Sequence, residues 1–481
     1  MLTTISFVLD GKIVTIDFNS GSHLTPTTTV LNYLRSLPNH KGVKEGCAEG
    51  DCGACTVAIG ELTAHNTIRY YSVDSCLMFL PMLHGKQLIT VENLKNKNGQ
   101  LHFVQSAMVE TGGSQCGFCT PGIVMSMFSL YKNHHIPTRE QINDAITGNL
   151  CRCTGYNSIV EAAAQACVHD GIDHFTDNES NIVEYLRTIP HESIYIKTKD
   201  HEYFRPNTLE EALSLKKKHP DAIIISGSTD IALRVTKGFE ILPQLIDLSG
   251  VNELRSLRET NDTLMLGAGM ILSDVQQTVQ NNFPALREIL SVFGSQQIRN
   301  VATLGGNLGT ASPISDTIPV LMAYNATIIL QSIHTKREIN LDDFIIGYRK
   351  TARAADELIT AVRLPKPHKG VIVKSYKISK RKDLDISSIS AGFRLELEKD
   401  NRVNNIKLSY GGMADRIKRA STAEQFLIGK QWNRNSVEEA MLLVNYKFSP
   451  ISDARASAEF RQISAKNLLL NFWADTMNND Q

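Results

Sequence analysis

The chain has no net charge: 50 Lys and Arg are matched by 50 Asp and Glu, which removes the electrostatic case for nucleic acid or an anionic membrane as its main partner. No apolar run approaches the roughly 18 residues of a membrane span. The opening MLTTISFVLDGKIVTIDF has no basic segment leading into an apolar one, so a cytoplasmic protein is expected. Repeat arrays and low-complexity tracts are missing as well. There is no GxGxxG motif with a distant acid, so a Rossmann unit is not what would hold a dinucleotide. Cysteine is absent from most of the length: eight of the nine precede residue 154 and the ninth is Cys167. That distribution excludes disulfides spread through the fold and favours metal binding in a reducing compartment.

What is present reads as several domains, since 481 residues exceed one core at about 100 to 200 residues per domain. Residues 5 to 18 alternate Ile5/Phe7/Leu9 and Val14/Ile16/Phe18 around Asp10-Gly11, a hairpin signal. A helix carrying Val30, Leu31 and Leu34 follows. From 101 the spacing turns helical, with a stop at Gly112-Gly113 and Pro121 in a first turn. Thr138 with Gln141 and Ser158 with Glu161 predict capping boxes for two more helices. Residues 169 to 200 are polar, acidic and poor in periodicity, and read as a linker. Beyond 202, helical and strand patterns alternate. The last hundred residues give the strands VIVKSYKIS, SAGFRLELE and IKLSYGGM, then helices near 435 to 446 and 457 to 474.

The cysteines fall into two sets of four. Cys47, Cys52 and Cys55, with Cys76 further on, have the spacing with which plant-type ferredoxins hold a [2Fe-2S] cluster. Gly46, Gly50 and Gly53 allow the intervening N–H groups to turn inward toward sulfur. The second set is Cys116/Cys119 and Cys151/Cys153, each pair on a loop beside a predicted helix start, where converging amides and a positive helix end suit an anionic cluster. Four thiolates would also satisfy a structural zinc in either set. Cys167, on the alanine-rich EAAAQACV, reads as a buried inert thiol.

Two glycine-bearing loops carry the second kind of chemistry. IIISGSTD (223 to 230) is a strand running into a tight turn of Gly and small hydroxyl residues that can present backbone N–H groups to a phosphate. TLGGNLGTASPISD (303 to 316) repeats the pattern, with Gly305 and Gly306 permitting close approach, Asn307 and Ser312 offering hydrogen bonds and Asp316 suited to a ribose or adenine. Either loop, taken alone, also reads as a turn that needs glycine for positive φ.

CAEGDCGACTV, QCGFCTPG and GNLCRCTGY together resemble the paired iron-sulfur domains of the molybdenum hydroxylases, the xanthine dehydrogenase and aldehyde oxidase family. RPNTLEEAL, LIDLS, FGSQQIRNVATLGGN and SKRKDLDIS resemble that family's flavin domain, in which a GGTD-like turn and a TxGGN loop cradle a pyrophosphate. Ser226 and Ser228 depart from the double-glycine form of the first turn.

The resemblance implies an α+β multidomain chain: a β-grasp 2Fe-2S ferredoxin domain at 1–84, a four-helix 2Fe-2S domain at 85–168, a linker at 169–200, a two-part α/β FAD-binding domain of the vanillyl-alcohol-oxidase-like type at 201–368, and a C-terminal α+β domain at 369–481. It implies a [2Fe-2S] cluster on each quartet. FAD contacts are implied at Ile224, Ile225, Ser226, Gly227, Ser228, Thr229, Asp230, Phe293, Thr303, Leu304, Gly305, Gly306, Asn307, Asp316, Ile359 and Lys377. For Phe293 and Ile359 the other reading is core packing, and for Lys377 a solvated charge.

The family's molybdenum-binding region is a further large segment, so the resemblance implies the small subunit of a split enzyme. A separate large subunit would bind the molybdenum cofactor, in a dimer of heterodimers, with Gln115 touching its pterin. The implied activity is electron transfer from hypoxanthine or xanthine oxidation on that partner, through the helical-domain centre, the ferredoxin-like centre and FAD, to NAD⁺. No acid-base residue for purine chemistry is expected on this chain. Service to an aldehyde or N-heterocycle hydroxylase is the alternative.

Overall fold

In the computed structural model residues 1–19, 23–169 and 171–477 are described; Asp170 of the expected linker and residues 478–481 of the expected C-terminal domain lie outside them. The chain divides into two compact units. One comprises Met1–Leu215, Asp221–Val251 and Ser295–Ala302, the other Lys216–Pro220, Asn252–Gly294 and Thr303–Gln481. The expected flavin domain is therefore shared out, part of it clustering with the cysteine-bearing domains.

In the first unit, Asp10 and Gly11 both take positive φ (54° and 68°), as a two-residue hairpin turn requires. They join β1 (Thr4–Leu9) to β2 (Lys12–Asp17), with Leu9 opposite Lys12. The helix α1 (Val30–Ser36) is capped by Thr29, whose hydroxyl accepts from Asn32 N. β3 (Thr56–Leu62), β4 (Ile68–Asp74) and β5 (Gln87–Ile89) complete a mixed sheet of order β2-β1-β5-β3-β4.

Four helices follow: α2 (Phe103–Glu110), α3 (Thr120–Asn133), α4 (Arg139–Ile146) and α5 (Asn157–Cys167). The Thr138/Gln141 capping box forms as expected, but Ser158 and Glu161 do not cap. α5 starts after Tyr156, which sits in the left-handed region at φ 70°. Its hydroxyl is held back on Cys151 N at 2.7 Å, and that bond fixes where the helix can begin.

The expected linker also differs. It contains α6 (His174–Asp177) and α7 (Glu179–Thr188), and Phe175, Ile182, Val183 and Leu186 bury into the same core as α2 to α5. The segment is pinned by Asp173, whose buried carboxylate takes His102 Nε2 and Lys132 Nζ, each at 3.1 Å. A second small sheet then runs β6 (Ile194–Lys197), β7 (Glu202–Arg205), β8 (Ile223–Ile225) and β9 (Gln244–Asp247), in the order β6-β7-β9-β8. Tyr203, Ile225 and Leu245 from this sheet share one apolar cluster with Phe7, Cys55, Cys76 and Leu77.

The second unit holds an antiparallel sheet of strands Leu257–Glu259, Thr263–Gly267, Leu358–Pro365, Thr327–Gln331 and Lys336–Asn340, in that spatial order. It also holds a meander of Val371–Ile378, Ile389–Leu397 and Val403–Gly411, backed by the helices Ser421–Leu427, Arg434–Leu443 and Ala458–Met477. Phe393, Tyr410, Trp432 and Phe472 anchor the core beneath that meander. Among the described residues no helix is long and apolar enough to cross a membrane.

Candidate redox-cofactor sites

The hairpin β3–β4 builds the first cysteine site. Thr56 pairs with Asp74, so the residue before one strand, Cys55, and the turn after the other, Ser75-Cys76, are brought together. Ser75 Oγ donates to Cys55 O at 2.7 Å. The thiols associate in pairs, Cys47 with Cys52 and Cys55 with Cys76. The hydrogen bond from Cys52, with N–H groups of Glu49 at 3.4 Å and Asp51 at 3.3 Å, brings Cys47 down to about 5. These are the inward amides expected of the loop. Gly53 holds φ 66°, whereas Gly46 serves as space, since a Cβ there would lie 2.8 Å from Cys52 Sγ. Beside Cys55 stands Asp74, pushed up to about 8 by burial and by the nearby Cys47 charge.

The second quartet pairs likewise, Cys116 with Cys153 and Cys119 with Cys151. Thr154 Oγ1 lies 3.2 Å from Cys151 Sγ. Four sulfurs per site, set in two neighbouring pairs, fit a [2Fe-2S] rhomb in which each iron takes two protein sulfurs. The two sites differ in exposure. Cys55 and Cys76 are buried, while Cys116 and Cys153 are exposed, and so are their sequence neighbours Gln115, Phe118 and Leu150, the last two at 49% and 42%. Cys167 is a buried thiol raised to about 11 by burial.

Within the first unit the expected flavin turn leaves β8 at Ile225, with Ile224 paired to Ile246. Gly227 is required by space: a Cβ would lie 1.8 Å from Val301 O. Ser228 takes φ 57°, so one of the two serines that depart from the double-glycine form occupies a glycine-like conformation, while Ser226 does not. Its hydroxyl donates to Leu77 O, next to Cys76. Lys237, which no sequence signal singled out, donates to Cys47 O at 3.1 Å. The N–H groups of Ser226, Gly227, Ser228 and Thr229 have no acceptor among the described residues, an open set of donors suited to a phosphate.

In the second unit TLGGNLGT is a short helix, Leu304–Thr310, capped by Thr303, where a loop was expected. Its N–H groups are already engaged: Leu304 with Met270 O, Gly305 with Ala268 O, Asn307 with Thr303 O, and Gly306 with Thr303 Oγ1. They are not free to cradle a phosphate, and what the segment offers is the bare face of Gly306. Asn307 Oδ1 accepts from Ser315 and Thr317 hydroxyls at 2.9 and 2.5 Å.

Lys377 is buried rather than solvated, bonding Val292 O at 2.7 Å and Asp316 at 2.9 Å. Ser387 Oγ occupies the other Asp316 oxygen at 2.5 Å. Burial pushes Asp316 up, and Lys377 opposes it. Ile359 is buried, 3.6 Å from where a Gly309 Cβ would stand, and Phe293 is half-buried.

Three family models match this chain: the FAD binding domain in molybdopterin dehydrogenase over residues 197–367, the CO dehydrogenase flavoprotein C-terminal domain over 374–476, and the [2Fe-2S] binding domain over 90–164. Fold and sites define a flavin and iron-sulfur oxidoreductase chain. Xanthine dehydrogenase of Emericella nidulans is 34% identical over 89% of this chain and 35% of its own length. Xanthine dehydrogenase/oxidase of Gallus gallus is 31% identical over 97% and 39%. The chain is similar to the FAD and iron-sulfur part of the molybdenum hydroxylases, and its matched domains support FAD and [2Fe-2S] clusters as cofactors. It spans 35 to 39% of the length of those relatives.

Among solved structures, quinoline 2-oxidoreductase from Pseudomonas putida 86 is similar at 25% identity and TM-score 0.53, covering 58% of this chain and 98% of that one. Carbon monoxide dehydrogenase from Hydrogenophaga pseudoflava shares the fold at 24% identity and TM-score 0.54, over 57% and 96%.

Proposed function

We propose that this chain is the electron-transfer subunit of a xanthine dehydrogenase. It would take electrons from hypoxanthine or xanthine oxidation at the molybdenum cofactor of a partner large subunit and deliver them to NAD⁺, in a dimer of heterodimers. [2Fe-2S] centres supply one-electron transfer, and a flavin takes electrons singly and gives them up as a pair. The order follows the second quartet, then the first, then the flavin turn.

The observation that carries this order is the contrast between the quartets. Cys116 and Cys153 are exposed, as are the apolar Phe118 and Leu150 beside them in sequence, and exposed apolar residues at a redox site suit a docking face. The first quartet shares its core with the strand that ends in the flavin turn, and Ser228 is bonded to the residue after Cys76. Gln115 stands on the exposed rim, where a partner's pterin would meet it. Hydrogen bonds to sulfur, from Glu49 and Asp51 N–H in one site and with Thr154 Oγ1 in the other, would raise cluster potentials from the roughly −400 mV of plant-type ferredoxins.

The mixed sheet with α1 supports a β-grasp ferredoxin domain, and the divided flavin segment supports the vanillyl-alcohol-oxidase-like type. The FAD contacts proposed are Ile224 to Asp230, Phe293, Thr303 to Asn307, Asp316, Ile359 and Lys377. Those on the helix Leu304–Thr310 would meet the ligand through side chains and the Gly306 face. Service to an N-heterocycle hydroxylase is the second reading, favoured by the likeness to quinoline 2-oxidoreductase.

Iron analysis tests the cofactor load, with about four irons per chain expected. Cys119→Ser should remove one paramagnetic signal and purine-driven NAD⁺ reduction while sparing NADH oxidation by dyes at the flavin. Equal loss of both activities overturns the order. Assay of the reconstituted pair with xanthine and with N-heterocycles separates the two substrate readings.

A further inference from the structure

Ser295–Ala302 lies in sequence between two proposed flavin contacts, Phe293 and Thr303, yet it belongs to the unit that carries the quartets. Its Ser295, Gln297, Arg299 and Asn300 side chains are buried, Gln297 fully so. Asn300 Nδ2 donates to Ser72 O on β4 at 2.9 Å, and Arg299 meets Asp144 of α4 at 2.5 Å. Between these anchors Gln297 Nε2 donates to Ser126 Oγ at 2.8 Å, Asn149 Oδ1 at 3.1 Å and Ala145 O at 3.3 Å. Ser126 Oγ donates to the same Asn149 oxygen at 2.6 Å. Asn149 Nδ2 then donates to Gly53 O and Thr56 Oγ1, both at 3.0 Å.

This network sits where the two quartet loops touch. Leu150 N, the neighbour of Cys151, donates to Cys52 O at 3.0 Å. Glycine backbone makes that approach possible: a Cβ on Gly53 would lie 2.1 Å from Gly148 O, and one on Gly122 2.1 Å from Gly53 O. Loops that meet through bare backbone have few side chains to fix their register, and the directional bonds of Asn149 and Gln297 supply it. Gln297 Oε1 has no partner among the described residues, an unfavourable arrangement that methionine would avoid at similar volume. What the amide contributes here is its donors.

We propose that Gln297 is a positioning residue: acting through Asn149 and Ser126, it fixes the separation and relative orientation of the two [2Fe-2S] centres. The proposal rests on the reading of both quartets as cluster sites. The test uses the full chain carrying its clusters, with Gln297→Met and Ser126→Ala. Its readout is low-temperature electron paramagnetic resonance of the fully reduced protein, in which two nearby spins split and broaden each other's signals. Gln297→Met should keep about four irons per chain and both signals while losing the native splitting. Ser126→Ala, which leaves Gln297 on Asn149, should show a smaller change in the same direction. Native splitting in both variants at full iron content, or its absence in the unaltered protein, overturns the proposal. Should Gln297→Met fail to fold, Ser126→Ala decides alone by the same criterion. An unaltered chain with half the iron and one signal would instead overturn the cluster reading.

Discussion

Gly305 and Gly306 are adjacent, yet the structure gives them different reasons to be glycine, and alanine at each separates packing from ligand binding. A Cβ on Gly305 would lie 2.6 Å from Ala268 Cβ and 2.8 Å from Ala268 O, whereas one on Gly306 meets only Thr303 Oγ1 at 2.8 Å. A hydroxyl can turn away where backbone cannot. Alanine within a helix gains about 1 kcal/mol over glycine, and disturbing the Thr303 cap costs about 0.5 to 2 kcal/mol. Gly306→Ala should therefore leave the flavin-free chain within about 1 kcal/mol of the parent. Gly305→Ala, an overpacking change, should cost about 1 to 3 kcal/mol. If the bare face of Gly306 is where FAD lies, the added methyl weakens FAD binding at least about tenfold, or roughly 1.4 kcal/mol. Urea unfolding of the flavin-stripped chain and titration with FAD measure the two quantities. Gly306→Ala with parental FAD affinity, or with the stability loss of Gly305→Ala, refutes the reasoning.

Gly227→Ala should destabilise the chain by about 1 to 3 kcal/mol or more, because its Cβ would stand 1.8 Å from Val301 O; a parental urea midpoint would contradict this. Tyr203→Phe removes a buried 2.5 Å hydrogen bond to Asp247 and should cost about 1.5 to 3 kcal/mol; a midpoint shift under a few tenths would count against it. His84 is held neutral by burial, its value lowered to about 4, with Nδ1 accepting from Ser6 N at 3.1 Å and Nε2 bonded to Pro190 O at 2.8 Å. The unfolded chain takes up that proton near pH 6.5 and the folded chain only near 4, so stability is full above 6.5 and falls by up to about 3 kcal/mol as the pH drops through that window. His84→Gln should flatten the decline in that window, and an unchanged slope would exclude His84 as its source.

The elements readable in the sequence were those whose signals are local. Asp10-Gly11 specified its hairpin because both residues tolerate positive φ, and Thr138 with Gln141 specified a helix start because both bonds of the box lie within three residues. Ser158 with Glu161 has the same pattern and fails. The bond from Cys151 N to the Tyr156 hydroxyl pulls the preceding turn into the left-handed region and moves the start. The segment around α7 read as linker because charge dominates it. Ile182 and Leu186 nevertheless carry one helical face into the core, a stripe too narrow to stand out among polar residues.

The same distinction separates the visible part of the site from the hidden part. Seven of the eight cluster cysteines sit in short motifs whose spacing reports a ligand set, and the remaining one, Cys76, is reached through the Thr56–Asp74 register of a single hairpin. Nothing local marks Lys237 on Cys47 O or Gln297 on Ser126, partners 190 and 171 residues apart. Motifs thus point to the residues proposed to bind the cofactors, while the side chains that hold one loop against another are chosen by tertiary packing. For electron transfer the second group matters as much as the first. Ligands fix what each centre is, and the buried amides of Asn149 and Gln297 govern how near one centre stands to the next.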